Sequence, residues 1–157
     1  TTALLSAGRD ADADETPDAL VSMAAPSYAA SNIEGKKREI AETGRLACPS
    51  ARTGQDLFMA PGWLEEQLAD PAAHDVLALA ARIDVPALIV HGERDETIPV
   101  RCAHELAGAL PKGELYVIEG CDHVFNTTHP ADPEAEPRAA LLEMIERVVD
   151  FTRRALA

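Results

Sequence analysis

At 157 residues the chain is long enough for one domain, which would bury roughly two-thirds of its unfolded surface. Hydrophobic residues at 46% and charged residues at 26% are ordinary for a globular protein. Acidic side chains outnumber basic ones 27 to 14, and the formal charge of −13 argues against nucleic acid or an anionic membrane as a partner.

No run approaches the ~18 to 20 continuous apolar residues of a membrane span. The opening TTALLSAGRD lacks the basic start and long apolar core of a secretory signal. It also lacks an initiator Met, which points to a start inside a longer gene product. Cys48, Cys102 and Cys121 are odd in number, far apart and without a C-x-x-C pair, so neither a disulfide framework nor a zinc site is expected. Free thiols fit a reducing cytoplasm, and no metal or organic cofactor is implied.

In chain order, residues 1–7 read as the end of a helix stopped by Gly8, followed by an acidic loop. The apolar run ALVSMAA at 19–25, closed by Pro26, has the length and continuity of a buried strand. Residues 27–70 differ. They are mixed in polarity and broken by glycines and prolines, with helical patches at IEGKKREIAET and WLEEQLAD, and they read as an insertion or small cap. From Pro71 the pattern is regular. AAHDVLALAARI has helical spacing, and VPALIVH at 85–91 is a strand-length apolar run. Pro99 opens a helix with Val100, Ala103, Leu106, Ala107 and Leu110 on one face, and ELYVIE at 114–119 is the next strand. Residues 135–156 form an amphipathic helix, with Leu141, Leu142, Ile145, Val148 and Val149 expected together. Glu143 with Arg147 and Asp150 with Arg154 are spaced for pairing on its outer side.

Strands alternating with helices define an α/β fold, a parallel sheet with helices on both faces. In such a sheet the loops after 85–91 and 114–119 open on one edge, where ligands of open α/β sheets bind. The first loop, HGERDETIP, brings Asp95 and the second, GCDHVFN, brings His123. A carboxylate that orients an imidazole, which in turn deprotonates a hydroxyl, needs this delivery. Residue chemistry alone leaves alternatives open. Asp95 also suits a turn or helix cap, although Thr97 is better placed for capping. Glu93 and Glu96 are lesser candidates for the acid. His123 also suits a surface loop, and Asp122 a solvent-facing or supporting position. His91 ends an apolar strand and reads as buried and structural. His74 and His104 read as ordinary helix positions, and His129 as shaping its loop.

VPALIVHGERDETIPV followed by IEGCDHVFNTTHP resembles the end of an α/β-hydrolase, in particular its dienelactone-hydrolase and prolyl-oligopeptidase-like branches. That family runs its triad in the order Ser, then Asp or Glu, then His. The resemblance implies Asp95 as the triad acid and His123 as the general base. It also implies that residues 1–157 form a single partial α/β-hydrolase domain, its C-terminal half, with 27–70 inserted. No G-x-S-x-G elbow exists: Ser6, in L-L-S-A-G, has the trailing glycine but not the leading one and no strand before it, and Ser22, Ser27, Ser31 and Ser50 have neither glycine. The nucleophile is therefore expected just upstream, and the chain alone is expected to be inactive.

The function implied is hydrolysis of a small-molecule carboxylic ester or lactone. A peptidase of the prolyl-oligopeptidase-like type, a non-catalytic binding or dimerisation module, and an enzyme completed by a second chain fit the same residues. A homodimer is compatible with each. Tyr28, Phe58 and Trp63 in the insertion are the candidates for lining an apolar substrate pocket, or else form the cap's own small core.

Overall fold

The computed structural model describes residues 1–157 except 12–15, 51, 52, 129, 131, 133 and 137, so the expectation for His129 lies outside the described residues. Strand β1 (Leu20–Met23) follows helix α1 (Thr2–Arg9). Helix α2 (Ile33–Thr43), the two-residue strands β2 (Leu46–Ala47) and β3 (Phe58–Met59), and helix α3 (Gly62–Ala69) come next. The chain then runs through a 3₁₀ turn (Ala72–His74), α4 (Val76–Ala80), β4 (Ala87–Gly92), α5 (Arg101–Ala109), β5 (Gly113–Ile118) and α6 (Ala139–Ala155). The three expected strands are present, as are the expected helices apart from that over 72–83, the last one starting at Ala139 rather than 135, and the pairing β2–β3 is an addition within 27–70. Two-residue strands are too short to show any alternation in sequence.

The main sheet has the order β1-β4-β5 and is parallel throughout, with Leu20 opposite Ala87 and Ala87 opposite Gly113. Strand β4 lies in the middle and is buried along its whole length. That explains its unbroken apolar spelling, because both of its faces are covered. Ala87 and Ile89 face a core built with Leu4 of α1, Val76 and Ala80 of α4, and Leu106 of α5. Leu88 and Val90 face the opposite core, with Ile118, Phe125 and, from α6, Ala140 and Phe151. Helices therefore pack on both faces, as the alternation of elements implies.

Three local expectations are corrected. Gly8 does not stop α1 but lies buried inside it, where a β-carbon would come within 2.4 Å of the Leu79 carbonyl oxygen. It is the point at which α1 and α4 touch. The stretch 72–83 is not one helix. Asp75 takes an extended conformation (ψ 94°) and caps α4 by accepting a hydrogen bond from Ala78 N at 3.0 Å. A capping aspartate needs that non-helical backbone, so the helix must restart.

The inner face of α6 is also rotated from expectation. Leu141, Met144 and Val148 pack inward with Ala140 and Phe151, whereas Leu142, Ile145 and Val149 are exposed. The apolar arc of this helix is wider than one face, and Phe151, 1% exposed, sets which side is buried. The charges follow that rotation. Arg154 makes a two-pronged bond to Glu114 of β5 (3.1 and 2.8 Å) rather than pairing with Asp150, and this holds the Glu114 carboxyl below its ordinary range. Tyr116 donates its hydroxyl to Glu143, while the Arg147 guanidinium lies 4.0 Å over the Tyr116 ring.

Alanine in place of glycine inside a helix normally stabilises by up to ~1 kcal/mol. At position 8 the close approach of α4 reverses the sign. Gly8→Ala is expected to destabilise the fold by about 1–3 kcal/mol through overpacking. A rise rather than a fall in the urea midpoint would show that α1 and α4 do not meet there.

Candidate active site

Strands β1, β4 and β5 all end at the same edge of the sheet, and two loops there are tied to one another. The acid loop leaves β4 at Gly92. A β-carbon on Gly92 would lie 2.4 Å from the Cys121 carbonyl oxygen and 2.6 Å from that of Asp122, so the base loop runs directly across it. This accounts for the glycine in the H-G-x-x-D spelling: only a residue without a side chain lets the two backbones approach this closely. Glu93 N donates to Ile118 O (3.0 Å) and Arg94 N to Cys121 O (2.9 Å). The Glu93 carboxylate in turn accepts from Gly120 N (2.9 Å), where the chain turns with φ +64°. Glu93 is thus a tie between loops, and Glu96 is exposed.

Asp95 is at the centre. Its side chain is fully buried, and its Oδ1 accepts from the backbone N–H groups of Thr97 (2.9 Å) and Ile98 (2.7 Å). The turn reading and the site reading of Asp95 therefore describe one carboxylate, each using a different oxygen. Thr97 caps nothing: α5 starts after Val100 without a side-chain cap. Oδ2 of Asp95 lies 2.8 Å from His123 Nδ1, and the His123 side chain is 37% exposed. Oδ2 also lies 3.2 Å from Nε2 of His91, whose side chain is fully buried. Four donor positions thus surround the two oxygens, the arrangement that satisfies a buried carboxylate anion.

The base loop builds itself around Asp122. Its exposed carboxylate accepts from Val124 N (3.0 Å) and Asn126 N (2.7 Å), while Asn126 Oδ1 accepts from Asp122 N (2.9 Å). This reciprocal clasp holds Phe125 and Asn126 in the left-handed region, both at φ 57°. Phe125 sinks into the core on the α6 side and anchors the loop that presents His123. With Nδ1 of His123 engaged by Asp95, Nε2 is the nitrogen that can take and return a proton.

The other candidates lie elsewhere. Tyr28 lines a cavity of about 300 Å³ with Ile33, Gln67 and Leu68. Trp63 lines a neighbouring groove of about 570 Å³ that includes Thr1, Arg9 and Glu66. Phe58 is exposed on β3, its ring 3.7 Å from the Arg45 guanidinium. The three aromatic residues do not share one cavity, and neither cavity has Asp95 or His123 in its wall. His74 is held by Asp70 O (2.8 Å), and His104 is exposed on α5. Among the described residues no three His, Cys, Asp or Glu side chains gather to hold a metal ion, and no helix is long and apolar enough to cross a membrane. The contact of His91 with Asp95 escaped the sequence reading. Its only signal was a histidine four residues before the acid at the end of a buried strand.

No family model matches the chain. Its structure is similar to Est1E from Butyrivibrio proteoclasticus, with a TM-score of 0.63 and 20% identity over 99% of this chain and 56% of that one. It is also similar to mouse alpha/beta hydrolase domain-containing protein 10, with a TM-score of 0.66 and 18% identity over 97% of this chain and 58% of the other. In sequence it is 32% identical over 74 residues to a 2-hydroxy-6-oxo-6-(2'-aminophenyl)hexa-2,4-dienoic acid hydrolase of Metapseudomonas resinovorans, covering 47% of this chain and 24% of that protein. The fold is that of the α/β-hydrolase superfamily. The chain spans just over half the length of these solved structures and about a quarter of that curated relative.

Two outcomes follow from the loop geometry. Gly92→Ala is expected to destabilise the chain by roughly 1–3 kcal/mol, since both neighbouring atoms are backbone and cannot rotate away; an unchanged urea midpoint would contradict the close crossing. Burial pushes the Cys121 thiol up, and the Asp122 carboxylate adds to this. Cys102 is also buried, whereas Cys48 is exposed. Ellman's reagent at pH 8 is therefore expected to label one thiol quickly in the native chain and three in denaturant.

Proposed function

We propose that the chain supplies the acid and the base of a serine hydrolase that cleaves carboxylic esters or lactones, of the dienelactone-hydrolase-like kind. The observation that carries this reading is the 2.8 Å contact between His123 Nδ1 and a fully buried Asp95 carboxylate at the carboxyl edge of a parallel sheet. The hydrolase names of two of the similar proteins support it at the level of reaction class.

In this mechanism His123 Nε2 takes the proton of a serine hydroxyl as its oxygen attacks the ester carbonyl carbon, and the carbonyl electron pair moves onto oxygen. Collapse of the tetrahedral species breaks the bond to the leaving alkoxide, which receives that proton from His123. Water then attacks the acyl-enzyme, giving a proton to His123, and the serine leaves with it as the acid is released. Asp95 keeps the proton on Nδ1 and balances the charge of the imidazolium between steps.

The nucleophile lies outside these 157 residues. Ser22 and Ser27 are buried, Ser27 donating to Glu105, while Ser6 donates to Asp10 and Ser50 accepts from Thr53 N. None of these serines adopts the strand-to-helix elbow. Residues 27–70 act as a lid in this reading; Tyr28 and Trp63 line two separate cavities of that segment, neither bordered by Asp95 or His123. Three free cysteines support a reducing, cytoplasmic setting.

Hydrolysis of a p-nitrophenyl ester by the whole gene product tests the reading. Asp95→Asn is expected to lower kcat on the order of 10⁴-fold and His123→Ala by at least as much. The 157-residue chain by itself is expected to show only background turnover. Activity of the His123 variant within a few-fold of wild type would refute the assignment.

A further inference from the structure

His91 is as deeply buried as the carboxylate it touches: its side chain is 0% exposed, like that of Asp95, whereas that of His123 is 37% exposed. Its Nε2 faces two oxygens, the Ile98 carbonyl at 2.8 Å and Asp95 Oδ2 at 3.2 Å. The Ile98 carbonyl can only accept, so the ring proton is on Nε2, and Asp95 Oδ2 stands beside it. Nδ1 of the same ring is buried with no hydrogen-bond partner among the described residues. A proton on Nδ1 would be an orphaned buried donor, which costs about 1–3 kcal/mol. Both nitrogens therefore give the same answer, a ring protonated on Nε2 and bare on Nδ1.

We propose that His91 is a positioning residue for the acid–base pair, its Nε2–H sharing Oδ2 of Asp95 with the Nδ1–H of His123. Asp95 Oδ1 is already held by Thr97 N and Ile98 N. His91 supplies the corresponding restraint on the other oxygen and closes the acid loop by gripping Ile98 O as well. An acceptor divided between two donors binds each less strongly than it would bind one. His91 thus keeps the carboxylate in place while moderating the bond that Asp95 makes to His123. The role in turnover rests on the hydrolase reading above; the hydrogen-bond arrangement does not.

Nuclear magnetic resonance of the ¹⁵N-labelled 157-residue chain, with His91→Leu and His91→Gln, tests the inference. Long-range ¹H–¹⁵N correlations are expected to show His91 protonated on Nε2; a proton found on Nδ1 overturns the proposal. In cold buffer the Nδ1 proton of His123 is expected to move downfield in His91→Leu, where Oδ2 loses its second donor. In His91→Gln, whose side-chain amide can donate to the same oxygen, it is expected to return to the wild-type position. A purely structural His91 would leave that resonance unmoved in His91→Leu, and this result overturns the proposal. Should His91→Leu fail to fold, a His123 resonance in His91→Gln displaced from wild type overturns it instead. Absence of ester hydrolysis by the whole gene product, with these spectra as expected, would sink the hydrolase reading and leave this one standing.

Discussion

The burial of Asp95 is the constraint on which the site depends. A carboxylate with a fully buried side chain is tolerable only where the surrounding groups replace the water it has lost. Two of the replacements come from its own loop, through the N–H groups of Thr97 and Ile98, and the other two are imidazoles. Each donor is itself fixed by something larger. The Thr97 and Ile98 amides stand where they do because the chain turns toward α5, His91 because it completes the buried strand β4, and His123 because Phe125 anchors its loop in the core.

The same dependence explains why the two loops cross so tightly. Asp95 can reach His123 only if the loop after β5 passes over the end of β4, and Gly92 removes the one side chain that would prevent this. Once the backbones are in contact, Arg94 N with Cys121 O and Glu93 with Gly120 N add bonds between them. The exposed Asp122 and Asn126 then fix the curvature of the base loop from outside. Residues that touch no substrate in the proposed mechanism therefore account for most of the positioning, because the functional pair sits where two chain segments must be brought together.

Much of this was legible in the sequence, for reasons that also show where legibility stops. The continuous apolar run at 85–91 announces a buried central strand because both of its faces are covered, while the runs at 19–25 and 114–119 form the less buried strands on either side of it. The alternation with helices then places the loops of Asp95 and His123 on one edge. Features that depend on which of two acceptable partners a side chain meets were not legible. Asp75 carries a capping preference that outweighs the helical period around it. The apolar arc of α6 allows more than one rotation, and only the fit of Phe151 decides between them. Arg154 has Asp150 four residues away on its own helix yet binds Glu114, which lies next to it only after α6 docks. His91 looked like a core residue and is one, but nothing in its neighbours' spelling reveals that its ring edge faces a carboxylate.

The chain matches little more than half the length of similar solved structures, yet the contact between Asp95 and His123 lies within it. Among the described residues, the hydrogen bonds that hold the Asp95 carboxylate and those that shape the base loop all come from residues 91–127. A hydroxyl nucleophile delivered from elsewhere would need only to reach His123, not to help arrange it. In the proposed mechanism the carboxylate and the ring it fixes are the half of the triad that must be rigid, and both are carried by two adjacent βα units. This is the physical reason why the signature of the site could be read from so short a segment, and why that segment includes His91 as well as Asp95 and His123.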